Sequence, residues 1–362
     1  METKTFNKAE LQEFINSSYF DELINIPISR LRAISQIHNP RAEDEDILLA
    51  AVFDGNKTVG YLGVLPDFVV HENIKEKVGW LSCFWVDENY KSQNVAANLF
   101  LRVIRAWKQK ILITNIVPTL EPVYQKTKIF QPTLYKSGFR GYLRFNSAEI
   151  LPPKKKFFRN IILLLKGLDF SLNLLNNIRL SFYKKYLMDE IKCEQLNHLD
   201  NSATDFIDQF KTRYWTQRGQ EELEWIMNYA WLKEGNENLD SSRYYFSLAE
   251  KTFSRKLIKF MDNSNSIKAI ILLNIRGKNI TIPYVFASKE NTPIISKYII
   301  NNMLQLNLNM ITVFNEDLAE SLKNLKTFYF TKAIQRHYFI SKKLEYIKEL
   351  NFQDGDGDCA FY

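Results

Sequence analysis

Residues 78–107 read VGWLSCFWVDENYKSQNVAANLFLRVIRAW, and this stretch decides how the rest of the chain is read. Its first part, 78–86, is a continuous apolar run, as expected of a strand buried on both faces. A short polar turn follows. From Val95 onward Leu99, Val103, Ile104 and Trp107 recur at helical spacing, which predicts an amphipathic helix. A strand feeding a helix through a tight turn aims the helix's free backbone N–H groups, at the positive end of its dipole, toward whatever sits above the turn. Such a junction suits an anion, a pyrophosphate for example.

Working outward, helical patterns near 8–17 and 27–37 precede two strand-like runs, 46–54 and 57–70, joined by Asp54-Gly55-Asn56, a hairpin signal. Downstream, 111–117 predicts a strand, then a helical piece and a terminal strand within 135–145. The C-terminal half repeats this order. Helices at 203–211 and 220–232 lead to three strands over 255–287, broken at Asn263-Ser264-Asn265 and Arg276-Gly277-Lys278. A helix over 292–307 follows, with Pro293 in its first turn, then a strand at 310–314, a helix at 316–325 and paired strands near 327–344. The expectation is an α+β chain of two domains, 1–150 and 188–362, each a mixed, mostly antiparallel sheet flanked by helices, duplicated in fold although residue identities hardly repeat.

Between them lies 151–187, an apolar sequence entered through Pro152-Pro153 and Lys154-Lys155-Lys156. It has no charge-free stretch of about 18 residues, so it is not expected to span a membrane. A connector helix packed between the domains is the preferred reading, and a membrane-surface helix the alternative. The chain's 362 residues carry a formal charge of +7, and counting along the rows assigns net +1 to 1–150, +7 to 151–187 and −1 to 188–362. A basic excess confined to 37 residues argues against a surface that tracks nucleic-acid phosphates.

The turn carries a resemblance. Val86-Asp87-Glu88-Asn89-Tyr90-Lys91 followed by Ser92-Gln93-Asn94-Val95-Ala96-Ala97 is similar to the acyl-CoA pyrophosphate loop of the GNAT superfamily, whose pattern is Arg/Gln-x-x-Gly-x-Gly/Ala. Two registers fit. One starts at Gln93, with Ala96 and Asn98 at the small-residue positions. The other starts at Lys91, with Asn94 and Ala96 there, and is favoured because Tyr90-Lys91-Ser92-Gln93 resembles the family's Tyr-Arg-Gly-Gln. Neither is complete, since glycine is usual where backbone must approach phosphate or adopt φ > 0, and of the substitutes Asn tolerates φ > 0 and Ala does not. Leu134-Tyr135-Lys136-Ser137-Gly138-Phe139 resembles a second family fragment, Leu-Tyr-x-Lys-x-Gly-Phe.

The resemblance implies an N-acyltransferase that moves an acyl group, most simply acetyl, from CoA to an amine by direct attack. Backbone amides of Phe84, Trp85 and Val86 would lie beside the acyl group, Asn115 would follow the next strand, Tyr135 would be the general acid and Glu88 or Asp87 the base. The second half has no such loop after its buried strand (287–298), and is expected to share the fold without CoA. Trp215, Trp225, Trp231, Tyr244 and Tyr245 could line an acceptor cleft, so an amino sugar or its nucleotide conjugate is the expected acceptor and a peptide amine the runner-up; core packing is the commoner fate of such aromatics.

The remaining signals are negative. Cys83, Cys193 and Cys359 are too sparse for a disulfide framework or zinc spacing, and Cys83 reads as packing rather than a nucleophile. Asp354-Gly355-Asp356-Gly357-Asp358 opens like a calcium loop but lacks its sixth-position Gly and twelfth-position Glu. No metal is expected, and no secretory signal is read at the N-terminus, so a cytoplasmic protein is expected.

Overall fold

The computed structural model describes residues 1–116, 121–187, 192–235 and 240–361. The predicted strand end at Val117 and the predicted start of the second half at 188 lie outside the described residues. In chain order the strands are β1 (Glu2–Phe6), β2 (Leu49–Asp54), β3 (Lys57–His71), β4 (Ile74–Val86), β5 (Ile111–Thr114), β6 (Leu134–Tyr142), β7 (Cys193–Leu196), β8 (Lys233–Glu234), β9 (Ala249–Glu250), β10 (Phe253–Met261), β11 (Ile267–Arg276), β12 (Asn279–Ala287), β13 (Met310–Val313) and β14 (Phe330–Ile340).

Two compact units form, and neither is a consecutive half of the sequence. The first unit comprises 1–136, 198–255 and 335–362; the second comprises 137–197 and 256–334. Sheet order in the first is β1-β2-β3-β4-β5-β14, and in the second β6-β13-β12-β11-β10-β7. The last strand of the sequence therefore completes the first unit: Tyr338, Phe339 and Ile340 pair antiparallel with Thr114, Ile113 and Leu112. Likewise β6, expected to close the N-terminal half, pairs Phe139–Tyr142 with Met310–Val313 in the second unit. The paired strands expected near 327–344 are this one strand. Each exchange gives a backbone edge a partner from the opposite half of the chain.

In the first unit the sheet is covered on both faces, as the alternation of β2 and β3 requires. Leu49, Ala51, Phe53 and Tyr61 pack with the helices Lys8–Ile15 and Ser18–Glu22. Ala50, Val52, Val59, Leu62 and Val64 pack under Leu99, Val103 and Trp107 of the helix Val95–Ala106 and its C-cap. That helix begins close to the sheet because Gly60 leaves room: a Cβ there would lie 2.6 Å from Val95 Cγ1 and 3.2 Å from Leu99 Cδ1. Gly60→Val is accordingly expected to cost about 1–3 kcal/mol of stability, read by thermal denaturation, and to displace the start of this helix.

The second unit packs the helices Thr292–Gln305 and Glu316–Asn324 on β11, β12 and β13, with Ile271, Ile282, Ile299 and Leu322 in its core. The region 151–187 forms a short helix, Phe157–Asn160, and a long one, Ile162–Leu187, both within this unit. The packing expected of it fails in one respect. Leu165 and Leu180 are buried, but Phe157, Leu163, Leu164 and Leu168 are exposed.

Candidate active site

Strands β4 and β5 run parallel but pair only at Gly79–Ile111 and Trp80–Leu112. Beyond Trp80 they part. On its other side β4 stays bound to β3, yet with a register shift: Tyr61 faces Trp85 while Gly63 faces Ser82. The extra residue is a β-bulge, and within it Cys83 adopts φ +52°, in the left-handed region. Bulge and splay leave the β5-facing edge of Leu81–Val86 without a ladder partner among the described residues. A cleft of about 230 Å³ opens there, lined by Leu81–Phe84 from β4, Ile113–Ile116 from β5 and its exit, Tyr124, Phe246 and Asp358.

Tyr124 sits on the helix Glu121–Lys126 that follows β5. Its ring is packed among Phe100, Phe130 and Phe339, and burial pushes its phenol up to about 12. Its hydroxyl makes no hydrogen bond among the described residues, so it is a protonated donor with nothing to donate to. Asp358, nearly buried, reaches the cleft from the C-terminal segment and accepts a hydrogen bond from Ser82 Oγ.

That segment is no solvated acidic tail. Asp354 pairs with Lys136 (3.3 Å), Asp356 with Arg218 (3.2 Å) and Thr216 (2.9 Å), and the ring of Phe361 stacks on Trp231. Asn115, at φ +56° beyond β5, donates from Nδ2 to Cys359 Sγ at 3.0 Å. Gly357 takes φ +70° against the Trp80 ring, where a Cβ would come within 3.1 Å. The aspartates of the DGDGD run are thus each engaged by a protein donor, and no group of residues suited to a metal ion occurs among the described residues.

At the other end of the splayed strand, Glu88–Gln93 winds as a 3₁₀ turn into the helix Val95–Ala106. Asn94 occupies the junction at φ +58°, ψ +18°, the left-handed conformation that Asn tolerates. Its side chain does not cap the helix. Val95, Ala96 and Ala97 therefore present backbone N–H groups that have no acceptor among the described residues. Ala96 lies inside the helix's first turn and needs no positive φ. Gln93, Asn94 and Ala97 also line a groove along the outer face of this helix together with Arg102 and Arg105, neither of which forms an ion pair among the described residues.

The other predicted residues divide between the cleft and its surroundings. Phe84 lines the cleft; Trp85 packs against Tyr61 and Tyr245; Val86 borders Gly60. Lys91 and Glu88 are exposed and pair with each other at 3.1 Å, and Ser92 is exposed in the turn. Tyr135 is half-exposed outside the cleft lining. Its hydroxyl donates to Glu121 Oε1 at 3.1 Å, which raises its pKa, and its ring meets His337 edge-on. The aromatics expected to line an acceptor cleft do not do so. Trp225, Trp231 and Tyr244 are buried, with Phe361 packed against both tryptophans, and Trp215 lies against His71 and Tyr346.

Residues 10–122 match the profile described as the Acetyltransferase (GNAT) family. The chain carries a GNAT domain. Among curated proteins none matches by sequence. Among solved structures, a probable N-acyltransferase from Enterococcus faecalis V583 has a TM-score of 0.53 at 9% identity, covering 96% of this chain and 74% of that one. The N-myristoyltransferase of Saccharomyces cerevisiae with bound myristoyl-CoA has a TM-score of 0.52 at 10% identity, covering 94% and 78%. At these identities the likeness is one of fold. The match extends over almost the whole chain, beyond the family profile. Two residues of the cleft lining, Tyr124 and Asp358, were not singled out by the sequence. Tyr124 had a signal, a tyrosine in the next helix after β5 and Asn115. Asp358 had none, because an Asp/Gly-rich terminus normally lies in water.

Proposed function

We propose that the first unit is an acyl-CoA-dependent N-acyltransferase working in the cleft between β4 and β5. The observation that carries this is the splay of the two strands at the Cys83 bulge, with the uncapped start of the helix Val95–Ala106 following the same strand. The pyrophosphate of acyl-CoA would sit on the N–H groups of Val95, Ala96 and Ala97, with Arg102 and Arg105 supplying positive charge along the groove. The pantetheine arm would run along the open edge of β4, whose unpaired backbone can bond it as a further strand would. The acyl carbonyl would then reach the cleft.

There the amine nitrogen attacks the thioester carbon, the C–S bond breaks, and two protons need handling. Asp358 takes the one lost by the amine, and Tyr124 gives one to the departing thiolate. We assign donation to Tyr124 rather than Tyr135 because it lines the cleft and has no other acceptor, and the base to Asp358 rather than Glu88 because Glu88 is engaged by Lys91 outside the cleft. The second unit we read as a GNAT-like fold without CoA. Its strands β10–β12, helix and β13 repeat the order of the first, and Ser288–Thr292 leads into its helix without glycine or an arginine of the motif. The acceptor is an amine; none of the predicted aromatics lines this cleft, so the amino sugar has no lining residue in its favour.

The test is CoA binding. Isothermal titration should detect acetyl-CoA or a longer acyl-CoA bound to the wild type, and Ala96→Glu should abolish it by placing a carboxylate against phosphate. Arg102→Ala and Arg105→Ala should each weaken it about tenfold, the scale of one charge-assisted hydrogen bond. No heat at millimolar CoA would remove the proposal.

A further inference from the structure

The helix Ile162–Leu187 is amphipathic in the reverse sense. At 100° per residue, Leu163, Leu168, Phe170, Leu174, Ile178 and Phe182 fall within one arc of about 160°, and that arc faces water: Leu163 is 79% exposed, Phe170 73% and Phe182 69%. The opposite face holds polar groups against the protein. Asp169 accepts from the backbone N–H groups of Ser147 (2.9 Å) and Ala148 (2.8 Å), Asn173 exchanges hydrogen bonds with Phe145, and Asn176 donates to Leu143 O at 2.8 Å. With its hydrogen-bonding residues used to dock it, the helix turns its leucines and phenylalanines outward. A contiguous apolar face of this kind calls for a cover.

Charge selects the cover. Lys154, Lys155, Lys156 and Arg159, at the approach to the helix, are all exposed and form no ion pair among the described residues. The segment 151–187 carries eight basic residues against one acid, and that acid, Asp169, is buried. A second copy docking through the same patch would set one basic cluster against another. No helix among the described residues is long and apolar enough to cross a membrane. We infer that this face lies on an anionic lipid surface, with the apolar arc in the acyl-chain boundary and the Lys154–Arg159 cluster at the headgroups.

Flotation of the full chain with vesicles tests this. It should float with phosphatidylcholine vesicles containing phosphatidylserine, less so as salt is raised, and not with phosphatidylcholine alone. Changing Lys154, Lys155 and Lys156 together to Gln should weaken binding about 10²-fold, near fivefold per residue. Changing Leu174 and Ile178 to Ser should abolish it while leaving the melting temperature in place, since both side chains are in water. A Phe170→Trp variant should show a blue-shifted increment of emission only with anionic vesicles. Failure of the wild type to float at low salt would overturn the inference. So would a concentration-dependent dimer that the Leu174/Ile178 variant abolishes, or binding indifferent to the lysines.

Discussion

Replacing Tyr124 with Phe is expected to lower turnover by about 10²-fold or more while leaving acyl-CoA affinity nearly unchanged, the range typical of general acid catalysis. The hydroxyl is the atom at issue, because the ring's packing among Phe100, Phe130 and Phe339 survives the change. Since burial pushes this phenol up to about 12, it stays protonated through neutral pH, and loss of its proton should not shape the rate profile there. Asp358→Asn is expected to cost a comparable factor in kcat. It keeps the shape that meets Ser82 and removes the ability to take the amine's proton. Tyr135→Phe is the contrast: bonded to Glu121 outside the cleft, it should leave kcat within a few-fold of wild type. Pre-steady-state acylation of a reactive amine separates the cases. Full turnover in the Tyr124 variant together with loss in the Tyr135 variant would return the acid role to the residue first read from the sequence.

The second large effect is on stability. Asp67 is fully buried and accepts from Arg41 (2.5 Å), Arg218 (2.6 Å), Trp80 Nε1 (3.0 Å) and the N–H of Phe68 (2.8 Å). Arg41 is shared with Glu222 at 2.6 Å, and Arg218 reaches Asp356. Asp67→Ala leaves two buried guanidinium groups short of a counter-charge, which costs about 3–5 kcal/mol and should lower Tm by roughly 10 °C. Burial alone would raise the Asp67 carboxyl, but Arg218 and Arg41 outweigh it and hold it below the usual range; Glu222 is lowered likewise. For such depressed groups the stabilisation is present above the ordinary carboxylate pKa and is lost as pH falls through the folded-state value. Wild type should therefore lose stability on acidification below about pH 4, and Asp67→Ala should lose less. A calorimetric series across that range decides it. Because Asp356 anchors the strand of chain that carries Asp358, the same variant should also lower activity.

The sequence by itself determined the local elements and the strand-turn-helix junction at Asn94. The β2–β3 hairpin at Gly55-Asn56, the start of the helix at Val95, and the β10, β11 and β12 boundaries are each set by side-chain periodicity or turn chemistry within a few residues, so they can be read where they stand. Asn94 belongs to this class, since the reason to place Asn at a glycine position was its tolerance of φ > 0, the conformation it adopts. Tertiary structure alone decided the rest. Strand β14 completes the first unit and β6 the second because a strand's pairing partner is chosen by open edges across the sheet, which no local pattern encodes. The fate of the aspartates at 354–358 turned on arginine, lysine and serine groups far off in sequence. Exposure of the long helix's apolar arc depended on Asp169, Asn173 and Asn176 finding backbone groups at 143–148, hydrogen bonds that composition cannot report and that turned its leucines to the outside.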